Sequence, residues 1–254
     1  MSSDLTGRVA LVTGVSRAIG IGATIAERLH GMGATVFATG WAPHDGEMPW
    51  GAGNAASLPS IDLAEHDLAE PGVATALIDE VVARHGRLDI VVAVHARSSE
   101  GGLPEVTEAE LDRCWAANVR SIVMLAQRFA QVHEPPPVER PPIGRMVWFT
   151  SGQALSPMDG ELAYAVSKGA LHQMTGSVAH ALVPARIVAN CINPGPVDTG
   201  YAPPDVIEAV ERRFPDGRWG QPDDVANLVA FLVSDAGAWI RGQVIDSEGG
   251  FNRH

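Results

Sequence analysis

Short apolar runs rich in β-branched residues alternate along this chain with segments of helical periodicity. Val9–Thr13 is an unbroken apolar run of strand length. Residues 22–32 then place apolar side chains on one helical face and stop at Gly33. The same alternation predicts strands at 35–39, 89–94, 145–150, 187–192 and 243–246. It predicts helices at 73–85, closed by Gly86, and at 107–132, 163–182 and 223–234. Strands apolar on both faces, with helices between them, predict a doubly wound parallel α/β sheet covered by helices on each side. No repeat or linker interrupts the rhythm, so residues 1–254 are expected to form a single domain.

Three stretches depart from the pattern. Residues 41–60 are rich in Gly, Pro and small residues and hold no convincing helix. Residues 133–143 contain five prolines and predict an exposed loop. Residues 199–217 carry Pro203, Pro204 and Pro215 beyond the end of a strand, where α/β folds place ligands, and are read as the substrate segment.

Composition narrows the function classes. A net charge of −12 argues against a nucleic-acid partner or an anionic membrane surface. No apolar run approaches the roughly 18 residues of a spanning helix. Residues 1–8 lack a basic region followed by an apolar run, so no signal peptide is expected. Cys114 and Cys191 each lie in an apolar segment, which reads as two buried free thiols and fits a cytoplasmic protein. The nine histidines are scattered without metal-ligand spacing, so no metal site is expected.

Two motifs carry chemistry. Tyr164 and Lys168 are four residues apart and share one helix face, with Ser151 thirteen residues before the tyrosine. An ammonium beside a phenol lowers the phenol's pKa from about 10 toward the working range and makes a reversible proton donor. The plain alternative is an ordinary exposed pair on a helix. Secondly, residues 13–22 read T-G-V-S-R-A-I-G-I-G after the first strand and open a helix. Glycines there let the backbone approach a pyrophosphate, and the helix N-terminus offers N–H groups. The second strand ends Ala38-Thr39-Gly40-Trp41, without the acid that holds a ribose 2′-hydroxyl in NAD sites. Arg17 is suited to a 2′-phosphate. NADP(H) is therefore the expected cofactor and NAD(H) the alternative; a solvated loop arginine is the competing reading of Arg17.

In order and spacing, these residues resemble the short-chain dehydrogenase/reductase family, particularly its ketoacyl-reductase-like members, nearly end to end. Thr13 to Gly22 is similar to the family's T-G-x-x-x-G-x-G with two extra residues, assigned to Ala18 and Ile19. The resemblance implies a Rossmann-type fold with Gly14, Ser16, Arg17, Gly20, Ile21, Gly22, Gly40 and Trp41 at the cofactor. It also implies Asp67 on the adenine amine, with Leu68 beside it. Ala93 and His95 would line the same pocket, and Pro194, Gly195, Val197 and Thr199 would flank the nicotinamide. Ser151, Tyr164, Lys168 and Asn118 would be catalytic, Asn118 by anchoring a water relay. A homotetramer or dimer, acting on a small carbonyl or alcohol, follows by the same analogy. His172 and His180, on the tyrosine's helix, are read as packing or surface residues.

The chain departs from the family where N-N-A-G is usual, since it carries Ala93-Val94-His95-Ala96. Ala93 and Val94 are read as packing residues, with another partner replacing the lost amides. The alternative is an altered pocket in which His95 or Arg97 reaches the substrate. That departure also motivates a second function class, a cofactor-binding sensor or scaffold without redox turnover. A dehalogenase-like relative is disfavoured, because the resemblance there implies arginine where this chain has Lys168.

Overall fold

A computed structural model describes residues 4–52, 57–137 and 143–252. Seven parallel strands form one sheet: β1 (Val9–Thr13), β2 (Thr35–Gly40), β3 (Asp62–Glu65), β4 (Ile90–Ala93), β5 (Gly144–Phe149), β6 (Ile187–Asn193) and β7 (Val244–Asp246). Their spatial order is β3-β2-β1-β4-β5-β6-β7. The order reverses between β1 and β4, which opens a crevice beyond their C-terminal ends.

The strands' twofold alternation builds two cores. Leu11, Val91, Ala93, Met146 and Trp148 point to one face, beneath α3 (Val73–His85), α5 (Ser121–Val132) and α6 (Leu162–Ala181). Ala10, Val12, Ile90, Val92, Val147 and Phe149 point to the other, beneath α1 (Ile21–Gly31) and α8 (Pro222–Val233). Both faces are apolar because both are covered. Each expected strand and helix is present within a residue or two of its predicted ends.

Four local features differ from the sequence reading. The 41–60 stretch contains a six-residue helix, α2 (Ala42–Glu47), started by Pro43, whose fixed φ suits a first helical turn. Residues 62–65 form an edge strand that was not predicted, because three of its four side chains are exposed and no apolar run marks it. The 107–132 helix is three pieces: α4 (Glu108–Cys114), a π-helical turn (Trp115–Arg120) and α5. The 199–217 segment contains α7 (Pro204–Glu211). Residues 53–56 and 138–142, parts of the two other predicted loops, lie outside the described residues.

Candidate active site

A cleft of ≈ 1160 Å³ runs along the C-terminal ends of the strands. Its floor at one end is the β1–α1 turn. Gly20 caps α1 without a side-chain hydrogen bond, so the first helical N–H groups are not held by the cap side chain. Three glycines keep the turn close to its neighbours. A Cβ on Gly14 would lie 2.5 Å from the His95 nitrogen, on Gly22 2.4 Å from the Gly14 carbonyl oxygen, and on Gly40 2.5 Å from the Val15 carbonyl oxygen. A side chain at any of these positions would fill the cradle. The shape suits a pyrophosphate lying on backbone N–H groups.

The far end of the cleft holds the polar side chains of α6 and the turn after β5. The Ser151 hydroxyl sits beside the Tyr164 phenol and donates to Met158 Sδ at 3.9 Å. Lys168, 2 % exposed, donates from Nζ to the Phe149 carbonyl at 2.8 Å. Its ammonium lies over the Tyr164 ring, 5.5 Å from the centroid. Burial pushes the Lys168 pKa down to about 8. Burial also pushes Tyr164 above the ordinary phenol value, with the neighbouring Ser151 hydroxyl acting in the opposite direction. This differs from the sequence expectation of a depressed phenol: the ammonium meets the face of the ring, and desolvation of the phenolate is the larger effect.

Asn118 sits fully buried in the π-helical turn. Its Oδ1 accepts the Arg97 N–H at 2.6 Å, and its Nδ2 donates to the Arg97 carbonyl at 3.0 Å and to Ser167 Oγ at 2.8 Å. Asn118 thus fixes the strand end after β4 against α6. No local pattern points to Ser167, which donates to the Tyr164 carbonyl at 2.7 Å.

The other predicted residues divide as follows. Gly14, Ser16, Arg17, Gly20, Ile21, Gly22, Gly40, Trp41, Asp67, Leu68, His95, Pro194, Gly195, Val197 and Thr199 line the cleft with Ser151 and Tyr164. Ala93, Asn118 and Lys168 lie behind its wall, all 2 % exposed or less. Arg17 donates from Nη2 to the Thr199 carbonyl at 2.5 Å, and its guanidinium lies 5.8 Å from the Trp50 ring centroid. It is therefore not a freely solvated loop arginine. The Arg97 guanidinium is engaged in ion pairs with Glu110 at 2.9 Å and Glu47 at 3.1 Å. His44 Nε2 accepts the Ser98 N–H at 3.1 Å. These contacts carry α2 across the mouth of the cleft. They join elements about fifty residues apart, and no local pattern announces them. Glu65, paired across from Gly40, accepts the Ala42 N–H at 3.1 Å. The sequence reading looked for an acid only on the second strand and missed this carboxylate on the third.

Comparisons with known proteins agree with this architecture. A family described as enoyl-(acyl carrier protein) reductase matches residues 14–252. An uncharacterized oxidoreductase of Bacillus subtilis is 33 % identical, over 97 % of each chain. NADPH-dependent aldehyde reductase 2 of Arabidopsis thaliana chloroplasts is 30 % identical, over 97 % of this chain and 94 % of its own. A solved short-chain dehydrogenase/reductase from Serratia marcescens superposes with a TM-score of 0.83 at 31 % identity, covering 98 % of this chain and 99 % of that one. A Burkholderia cenocepacia short-chain dehydrogenase in complex with NADP gives 0.82 at 32 % identity, with the same coverage.

Proposed function

The chain belongs to the short-chain dehydrogenase/reductase family of NAD(P)-dependent oxidoreductases, and from that premise we propose that it is an NADP(H)-dependent reductase of a small carbonyl compound, or the dehydrogenase of the matching alcohol. One observation carries the reading: Ser151, Tyr164 and Lys168, from two elements, converge at one end of a cleft whose other end is a glycine cradle. The NADP bound by the Burkholderia relative and the NADPH named for the Arabidopsis reductase support the cofactor choice.

Gly14, Gly20, Gly22 and Gly40 would hold the dinucleotide's phosphates and ribose, and Pro194, Gly195 and Thr199 its nicotinamide end. When bound, the reduced nicotinamide supplies hydride to the carbonyl carbon. Ser151 donates to the carbonyl oxygen and favours the charge that develops there. Tyr164 gives its phenolic proton to that oxygen, and its high pKa keeps the proton available. Lys168 fixes the tyrosine's surroundings through the Phe149 carbonyl. Asn118 holds the Arg97 backbone and so the wall of the site. We take the whole chain as one catalytic domain, with 199–217 shaping the substrate pocket. We also take it to be a cytoplasmic homo-oligomer; no helix among the described residues is long and apolar enough to cross a membrane.

The test is a titration with NADPH and NADH, followed by a ketone and aldehyde panel read by loss of reduced nicotinamide. Tighter NADPH binding and carbonyl-dependent oxidation are expected. Preference for NADH would assign the ribose pocket to Glu65 and overturn the NADP(H) reading. NADPH binding with no oxidation across the panel would overturn the reductase.

A further inference from the structure

The turn after β4 holds a half-buried histidine, at the wall of the cleft, whose imidazole has no use in the proposed reaction. His95 Nδ1 lies 2.5 Å from Thr13 Oγ1, at the end of β1, and Nε2 lies 2.8 Å from Ser121 Oγ, at the start of α5. The Ser121 hydroxyl in turn donates to the Ala117 carbonyl, one turn back. A hydroxyl has one proton to give. With that proton committed to Ala117, the Ser121 oxygen accepts from the ring, so Nε2 carries the hydrogen. Nδ1 is then an acceptor, and the Thr13 hydroxyl donates to it. The Thr13 oxygen keeps a lone pair for the His95 backbone N–H, at 3.5 Å. The reversed tautomer would set two acceptors, Nε2 and the Ala117 carbonyl, against one Ser121 proton.

An imidazolium fits no better, because it offers Thr13 no acceptor. The groups facing the ring are the Thr13 hydroxyl from β1, the Ser121 hydroxyl from α5, the Ala117 carbonyl from the π-helical turn and the Lys168 ammonium from α6. Among the described residues, the charged neighbour acting on the ring is thus a cation. Burial and that charge push the His95 pKa down to about 3, with the Ala117 carbonyl acting in the opposite direction.

The bridge joins two parts of the site. On one side, Gly14 packs directly against the His95 backbone. On the other, Ala117 and Ser121 flank Asn118, whose amide grips the Arg97 backbone. We propose that His95 is a positioning residue: fixed as the neutral Nε2–H tautomer, it locks the glycine turn and the Asn118-bearing turn into one frame. It fills, from the neighbouring position, the polar role left by the asparagines missing at Ala93 and Val94. The kinetic consequence rests on the reductase reading, but the tautomer and the effect on cofactor binding do not.

The test begins with long-range ¹H–¹⁵N correlation of the histidine rings in the full chain between pH 5 and 9. The His95 signals are assigned by their loss in His95→Asn. One neutral Nε2–H pattern across the whole range is expected. An Nδ1–H pattern, or a protonation midpoint inside the range, would overturn the assignment. NADPH titration and turnover then test positioning. His95→Ala should weaken NADPH binding and lower kcat about 10-fold or more, the scale on which small misplacements act. His95→Asn, which keeps one donor and one acceptor, should recover most of both. NADPH affinity in a folded His95→Ala equal to the parent's would overturn the proposal. If His95→Ala does not fold, equal impairment in His95→Asn and His95→Leu would overturn it as well. Absence of turnover in the parent chain would instead count against the reductase, leaving the ring spectra and the NADPH titration to judge His95.

Discussion

The Lys168 ammonium lies over the Tyr164 ring at 5.5 Å from its centroid, and it donates a hydrogen bond backwards, to the Phe149 carbonyl. Burial holds the lysine's folded pKa at about 8, against 10.5 for the free side chain. Between those values the unfolded chain binds the proton more than the folded chain does. Stability from this group therefore rises as pH goes from about 8 to 10.5. Urea unfolding of the parent and of Lys168→Met should diverge in the parent's favour across that window. Identical pH responses would show that the ammonium is not desolvated.

His95 gives the mirror case on the acid side. Its folded pKa, about 3, lies below the 6.5 of a free imidazole. The unfolded chain takes the proton first as pH falls, so stability is lost from about pH 6.5 downwards. His95→Asn removes this group, and its unfolding midpoint should fall less steeply than the parent's between pH 6.5 and 4. Parallel acid limbs would contradict the neutral ring.

Gly22 and Gly46 form a matched pair of glycine tests. A Cβ on Gly22 meets the Gly14 carbonyl oxygen at 2.4 Å, while one on Gly46, in α2, meets nothing within 4 Å. Gly22→Ala must push α1 from the β1 turn, so a loss of about 1–3 kcal/mol is expected, together with weakened NADPH binding. Gly46→Ala should be neutral or slightly stabilising. Thermal unfolding with and without NADPH reads both.

Arg97 ties α2 to α4 across the mouth of the cleft through Glu47 and Glu110. Arg97 and Glu110 are about one-fifth exposed on the side chain and Glu47 well exposed, so the network is partly screened. Arg97→Ala should cost about 1 kcal/mol in urea unfolding. It should also raise the NADPH dissociation constant by loosening α2. Unchanged NADPH affinity would show that the clasp has no part in holding the cofactor.

The alternation of strands with helices and the covering of both sheet faces were legible because buried strands and amphipathic helices must display their burial as pattern. β3 was not, since an edge strand with exposed Asp62, Leu63 and Glu65 shows none. Tyr164, Lys168, Ser151 and the glycine turn were readable from spacing, because a helix face and a tight turn are local. The partners of Asn118, the His95 bridge from Thr13 to Ser121 and the reach of Glu65 toward Ala42 were not. Each joins side chains brought together only by the sheet's crossovers. The sequence reading also placed the lysine's charge beside the phenol, where the fold sets it over the ring and lets desolvation prevail.

The account stands most directly on the phenol of Tyr164. Tyr164→Phe removes the proton donor and leaves the glycine cradle intact. On a ketone the parent reduces, its kcat should fall about 10²-fold or more, with NADPH binding close to the parent's. Turnover equal to the parent's, at full NADPH occupancy, would contradict the assignment of Tyr164 as the acid.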